Sequence, residues 1–500
     1  GVEYASVVFA IAESPKEKGL IWAGTNDGLI QMTRDGAKTW TNVTKNIPNL
    51  PPWGTVSNIE PSRYDAGVAY ITVDFHQVNN RDPFVYKTSD YGKTWKAITN
   101  GIPRSMLSYA HCVREDPVRR GLLYLGTENA LYVSFDDGEN WQPIQSNLPH
   151  APVYWIAIQE QFNDLVVATY GRGFWILDDL TPLQQMNRSV LDANAHLFTP
   201  RPAYRFRSAT VPFSQGDDPT AGQNPPYGAT FSYYLKSTPK GDVKIRIEDA
   251  KGQTARTLNG TKNAGVNRIT WDLRGEFTKE ARLRTSPAYA PEIRVGPEGW
   301  RPAPDGARMS VLLPPGSYTM KLAVDGQELS QPLVVKKDPR SSGSEADILS
   351  QTEMLLDLRK DMELAAEMVN QIEIIRSQLD SVRALLPGGA ESAPIKTAAD
   401  DLDKKLIEVE ENLIQRRLTG TGQDGVRWPA KLISKINYLA NGLSGSDFGP
   451  TQQQREVSAQ FKEQLAAHRK RLDEVMGKEL RAFNELLREL GIQNIITRAQ

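Results

Sequence analysis

The sequence predicts a multi-domain, mainly β protein: four-stranded β-propeller blades over residues 1–180, a linker over 181–202, a β-sandwich over 203–338 and an antiparallel α-helical bundle over 339–500. Three observations predict it. A Ser/Thr-x-Asp-x-Gly-x-Thr-Trp pattern recurs three times before residue 142, alternating strands separated by turn signals fill the middle, and apolar residues at helical spacing run through the last third. The length alone asks for roughly two to four domains, because one core stops growing well before 500 residues.

The repeats come first. Thr33–Trp40, Thr88–Trp95 and Ser134–Trp141 align; the second copy is complete, the first has Ala37 for Gly, and the third has Asn140 for Thr. Ahead of the motif lies an apolar strand closed by Gly-Thr, at Leu20–Thr25 and Leu122–Thr127, and further upstream a strand ending near Pro15, Pro61 or Pro117. A fourth unit, Val153–Ile158 and Leu165–Thr169, keeps the strands and loses the motif. Equivalent strands recur at Ile11, Ile59, Val113 and Ile156, a propeller spacing with four strands per unit. The motif has a local physical reason. Gly92 and Gly138 supply positive φ to a hairpin turn, Asp35, Asp90 and Asp136 accept the following amides, and Trp40, Trp95 and Trp141 cover an apolar gap. These residues are expected to serve folding.

Four blades is the low end for a closed ring. Gly1 stands where a Met would, and a strand starts by Val7 with no signal peptide before it, so further blades are expected from an upstream segment or another chain.

Strands at Ala229–Leu235, Val243–Ile247, Asn267–Leu273 and Gly316–Val324, with turns at Ala250–Gly252 and Asp325–Gly326, predict the sandwich. The Pro- and Gly-rich stretch 282–307 reads as a long surface insertion. Helices are expected from Ile348 to the Pro387-Gly388-Gly389 stop, from Ile395 to Leu418, from Trp428 to Leu443 and from Thr451 to Leu490.

Composition removes several classes. With 39% hydrophobic and 24% charged residues the chain is an ordinary folded protein, and its net charge of -1 offers no basic face for nucleic acid. No apolar run reaches the length of a membrane span. The single Cys112 excludes an intrachain disulfide and reads as a buried structural thiol. No nucleophile elbow, zinc motif or phosphate-cradling loop is present; Thr169–Gly173 reads as a tight turn. No metal site or cofactor is predicted. Calcium on Asp and backbone oxygens is compatible with the sequence but not specified by it.

Gly24–Leu29, Tyr86–Trp95 and Thr169–Asp179 together resemble the bacterial neuraminidase repeat, or Asp-box, shared by sialidases and sortilin-type propellers. The whole chain is similar to large bacterial proteins labelled glycosyl hydrolase or sortilin-like, in which a propeller precedes an Ig-like sandwich and a helical tail. Asn224–Ala229 and Arg274 after Trp271-Asp272-Leu273 resemble the Ig-like domain of flagellar hook-capping proteins. The resemblance implies export to the periplasm, cell surface or medium of a bacterium. It implies a fold more firmly than an activity, and the Arg-Ile-Pro signature of sialidases is missing beside Arg81, Arg104 and Arg172.

Hairpin geometry then locates a candidate ligand face. The motif turns occupy one end of each blade, so the turns between second and third strands and the blade-to-blade loops share the other end. That end carries Asn26, Asp27, Trp53, His76, Arg81, Asp82, Arg104, Tyr109, Glu128, Asn129, His150, Tyr170 and Arg172. Such a surface suits a protein or glycan ligand. Asp27 and Glu128 are the pair that would run glycoside hydrolysis if the protein were a hydrolase.

Overall fold

The computed structural model describes residues 6–207, 222–386, 392–420, 423–489 and 491–497. Its first fifteen strands pair with their sequence neighbours by hairpins. Blade one is β1 (Val8–Glu13), β2 (Ile21–Thr25), β3 (Ile30–Thr33) and β4 (Thr41–Asn42), and blade two is β5 (Thr55–Pro61), β6 (Ala69–Asp74), β7 (Phe84–Thr88) and β8 (Lys96–Ala97). Blade three is β9 (Ala110–Glu115), β10 (Leu123–Thr127), β11 (Leu131–Ser134) and β12 (Gln142–Pro143). Blade four has only β13 (Val153–Gln159), β14 (Asp164–Thr169) and β15 (Phe174–Leu177). The first strands β1, β5, β9 and β13 lie side by side in that order, an arrangement of the propeller type.

Alternation at period two makes each inner strand a two-faced ribbon. In β6, Ala69, Ile71 and Val73 enter the core shared with blade one, while Tyr70 enters the core shared with blade three. In β10, Leu123 and Leu125 face blade two and Tyr124 faces blade four. All of these are 0–1% exposed, and burial of each Val, Leu or Ile among them stabilises by roughly 1.5–3 kcal/mol. Cys112 lies fully buried in the last of these cores.

The repeated motifs join third and fourth strands through two successive left-handed residues: Gly36–Ala37, Tyr91–Gly92 and Asp137–Gly138. The motif carboxylates close these turns. Asp90 accepts from the Thr94 amide at 2.8 Å, the Thr94 hydroxyl at 2.7 Å and the Thr88 hydroxyl at 3.0 Å. Asp136 accepts the Asn140 amide at 2.8 Å and its side-chain Nδ2 at 2.7 Å, so Asn140 replaces Thr without losing a donor. At Asp35 the Thr39 hydroxyl and amide lead the bonds that hold the carboxyl well below the usual carboxylate range. The tryptophans pack backward on the preceding blade rather than toward a following strand. Trp95 meets Trp22 edge-on at 6.0 Å, and Trp141 Nε1 donates to the Ile98 carbonyl at 2.8 Å. Trp40, on the first blade, is 42% exposed.

Residues 181–202, expected as a linker, carry α1 (Thr181–Gln185), α2 (Arg188–Asp192) and β16 (Ala195–Leu197), which pairs with residues 233–235. The Arg119 guanidinium donates to the Leu183 and Met186 carbonyls and ties α1 to blade three. The chain divides into two compact units: Gly1–Arg201 with Ser232–Ser237 and Ala264–Val266, and the remaining residues from Pro202 to Gln500.

Further strands are β17 (Ala203–Arg205), β18 (Ala229–Leu235), β19 (Lys244–Glu248), β20 (Thr254–Asn259), β21 (Gly265–Trp271), β22 (Arg282–Leu283), β23 (Arg301–Pro302), β24 (Gly316–Val324) and β25 (Gln327–Lys337). The second unit holds a five-stranded sheet of order β17-β25-β24-β19-β20, its β24–β25 hairpin turning at Asp325–Gly326. Its helices are α3 (Glu345–Leu385), α4 (Ala393–Leu413), the short α5 (Asp424–Arg427), α6 (Leu432–Leu443), and α7 (Gln452–Glu474) continuing through a π-turn into α8 (Arg481–Glu489). Ser344 with Asp347 and Thr451 with Gln454 form capping boxes that start α3 and α7. The expected helix to Leu418 stops at Leu413, and that from Trp428 starts at Leu432. Pro387-Gly388-Gly389 and Leu490 lie outside the described residues. The stretch 282–307 is partly core, since Leu283 and Ala303 join the helical cluster. No described helix is long and apolar enough to cross a membrane.

Candidate functional site

Main-chain bonds bring two kinds of loop together at the blade ends away from the motif turns. In blades one, three and four the turn after the second strand hydrogen-bonds to the residue just before the first strand: Asn26 N to Val7 O at 3.0 Å, Glu128 N to Tyr109 O at 3.1 Å, and Tyr170 N to Pro152 O at 2.9 Å. Each first strand then carries a β-bulge near its start, and the residues the bulges leave unpaired are Phe9, Ser57, His111 and Tyr154. A bulge re-aims a side chain. Here it aims His111 and Tyr154 into one cluster with the loop residues.

The cluster is a continuous run of stacked rings across three blades. His76 stacks on Tyr109 with centroids 5.0 Å apart, and Tyr109 meets the edge of His111 at 5.2 Å. His111 stacks on Tyr154 at 4.1 Å, and Tyr154 lies 5.6 Å from Tyr170. The Arg81 guanidinium lies over the Tyr109 ring at 5.8 Å. Two carboxylates anchor the run: Asp74 accepts from His76 Nδ1 at 2.6 Å, and Glu128 from His111 Nε2 at 2.8 Å. Burial, and then a hydrogen bond to Glu128, push the Tyr109 phenol up, so it stays protonated and is a second donor to that carboxylate. The inner rings are buried and the outer ones open, with Tyr154 48% and Tyr170 73% exposed.

The geometry brings together His76, Arg81, Tyr109, Glu128 and Tyr170 of the sequence-derived set. Others lie apart. The Asp27 carboxylate accepts from the Thr25 hydroxyl, with Ser6 3.4 Å away, and the Thr25 bond holds it below its usual range against the cost of burial. Trp53, 60% exposed, sits with its backbone against the Gly28 turn of blade one. Asp82 and Arg104 form a loose exposed pair at 3.7 Å. Arg172 is exposed in the blade-four turn, and His150 Nδ1 lies 3.2 Å from the Asn129 carbonyl. Asp74 opens the blade-two loop that the sequence places on this face, whereas His111 and Tyr154 are contributors that sequence reasoning does not find. Strand alternation sets His111 opposite the buried Cys112, which was a usable signal; the bulge that turns it toward the loops was not.

A concavity of about 550 Å³ runs along the first strands, lined by Ile11, Ile59, Arg63, Arg114 and Trp155 among others. Arg114 stacks over Trp155 at 4.4 Å, donates to the Ile156 carbonyl at 2.8 Å and pairs with Glu60. Burial raises the Glu60 carboxyl despite that partner. Among the described residues no group of three or more His, Cys, Asp or Glu is placed to hold a metal ion.

No protein-family model and no curated protein matches this chain. Among solved structures it is similar to YCF48 from Cyanidioschyzon merolae at 17% identity, over 35% of this chain and 54% of that one, with a TM-score of 0.26. It is similar to YCF48 bound to D1 peptide at 14% identity, over 66% and 82% of the two chains, with a TM-score of 0.27. The GH74 xyloglucanase from Xanthomonas campestris matches at 14% identity, over 70% of this chain and 48% of that one, with a TM-score of 0.29. The matched part therefore spans about half the length of the first and the last of these.

Proposed function

We propose that this is an exported binding or assembly protein that recognises a protein or glycan through the ring cluster of blades two to four. In this reading the four blades belong to a larger propeller, the middle β region is an Ig-like sandwich, and the helices offer further docking surface. The observation that carries the reading is the ring run itself. Tyr154 and Tyr170 present aromatic surface at its open end, suited to sugar rings or apolar peptide side chains, while both carboxylates are engaged by imidazoles. Glycoside hydrolysis needs one carboxyl that carries a proton near neutral pH. Asp27 is held low by Thr25, which does not suit it as the acid, and Glu128 already accepts from His111 inside the ring run, so a binding role is the reading preferred for the pair.

The test combines a glycan array and a displayed peptide library with the variants Tyr154→Ala and Tyr170→Ala. Loss of both rings should weaken any ligand about tenfold or more, with the melting temperature little changed. Polysaccharide cleavage by the unaltered chain, abolished in Asp27→Asn or Glu128→Gln, would replace this reading with the hydrolase.

A further inference from the structure

In the second unit, β22 and its flanks run along α3 with their main chain anchored to it. The Lys279 amide donates to Glu363 at 2.9 Å, the Arg282 amide to Asn370 at 2.7 Å, and the Arg284 and Thr285 amides both donate to Glu373. These anchors space the side chains of Lys279, Arg282 and Arg284 along α3 from Glu363 to Glu373, about 15 Å of helix. Beside them opens a concavity of about 880 Å³, lined also by Gln371 of α3 and Arg469 of α7. That is far more room than one phosphate or carboxylate fills, and it lies within the range of small-molecule sites.

Among the described residues the lining holds five cations, Lys279, Arg282, Arg284, Arg308 and Arg469, and two carboxylates, Glu280 and Glu367. The net charge of -1 for the whole chain hides this local excess. It is not neutralised from within. Lys279 pairs with Glu363 and Glu367, and Arg469 with Asp473 at 3.0 Å. Arg282 has only Glu280 at 3.8 Å and the face of Trp300 at 4.2 Å. Among the described residues Arg284 and Arg308 form no ion pair. Arg308 Nε lies 3.5 Å from the Thr278 carbonyl, and its guanidinium stands over Phe277 at 5.2 Å.

The surroundings narrow the class of anion. An added peptide strand would need free main-chain amides, and those of Lys279, Arg282, Arg284 and Thr285 are taken by α3 while β22 pairs with β23. A single-stranded nucleic acid would need stacking surfaces, and among the described residues no aromatic side chain lines the concavity. Side-chain chemistry is what the trough offers: planar guanidiniums that match carboxylates, with Gln371 and Thr497 for hydroxyl groups between them.

We infer that this trough binds a short acidic oligosaccharide, its uronate carboxylates meeting Arg282, Arg284 and Arg308. The site lies wholly in the second unit and shares no residue with the ring cluster, so either binding reading can fail without the other.

Calorimetry on the full chain with galacturonate, mannuronate and glucuronate tetrasaccharides should show binding of at least one, weakening as salt is raised. The methyl ester of that ligand, which keeps the sugars and removes the charge, should not bind. Arg284→Ala with Arg308→Ala should weaken binding tenfold or more at unchanged melting temperature, because neither side chain holds an ion pair in the fold. Tyr154→Ala with Tyr170→Ala should leave it unaltered. The inference would be overturned by no binding of any of the three acids, equal binding of the ester, or tighter binding of oligoglutamate or single-stranded DNA. Binding indifferent to the arginine pair, or lost with the tyrosine pair, would overturn it as well.

Discussion

Between blades two and three the hydrophobic core is Tyr70, Val85, Leu123 and Leu125, of a kind repeated at each blade junction; between α3 and α4 the packing centres on the buried charges Glu373, Arg376 and Glu410. The blade core needs only that alternate residues be apolar and about the right size, so any junction resembles its neighbours. The helical core needs one arrangement. Arg376 pairs with Glu373 at 2.6 Å, Asp403 at 2.9 Å and Glu410 at 3.0 Å, while Glu373 also accepts the Thr285 amide at 2.8 Å. The difference is between a core that tolerates substitution and one that specifies a register.

The largest effect that would sharpen this contrast comes from Arg376→Ala. It leaves Glu373 and Glu410, 1% and 0% exposed, without their shared cation, and should cost about 3–5 kcal/mol of stability in chemical denaturation. A loss under about 1 kcal/mol would mean that the cluster is not holding α3, α4 and the Thr285 loop together, and the contrast would break.

Next comes a pair of substitutions within the blades. Trp141→Ala empties a buried site against blade two and should cost about 3 kcal/mol, whereas Trp40→Ala should cost about 1 kcal/mol or less. Equal costs would mean that the motif tryptophans do not act through the preceding blade. The same pair marks what was legible in the sequence. The motif spacing revealed the blades because each copy is a local device: Asp90 bonds residues within four positions of itself. It also placed Tyr109, Glu128 and Tyr170 at one end, because hairpin connectivity alone dictates ends. What stayed hidden depends on distant partners or on single-residue irregularities. His111 and Tyr154 enter the cluster through bulges that leave no mark in the alternation, and Arg114 reaches Glu60 across fifty-four positions. The α3 stripe showed apolar spacing, yet nothing in it indicated that Glu373 and Arg376 turn inward.

The smallest effect concerns protons. Burial, and then Glu373 beside it, raise the Glu410 carboxyl well above its ordinary range despite Arg376 and Arg416, while Glu373 is held low against its own burial, first by Arg376. Glu410 Oε1 is buried with no donor, as suits an oxygen that carries the proton itself. A carboxyl raised in the folded state favours folding fully below its unfolded value of about 4.5, and that contribution is lost as pH rises toward the raised folded value. Glu373 works in the opposite sense, adding stability above the same unfolded value and losing it as pH falls. Glu410→Gln keeps a hydrogen-bond donor toward Glu373 and removes the proton that must otherwise be retained. Its stability should fall less steeply above pH 5 than that of the unaltered chain, by at most about 1.4 kcal/mol per pH unit. Parallel stability–pH curves for the two proteins would show that the helical core does not depend on that proton, and only Arg376 would then distinguish it from the blades.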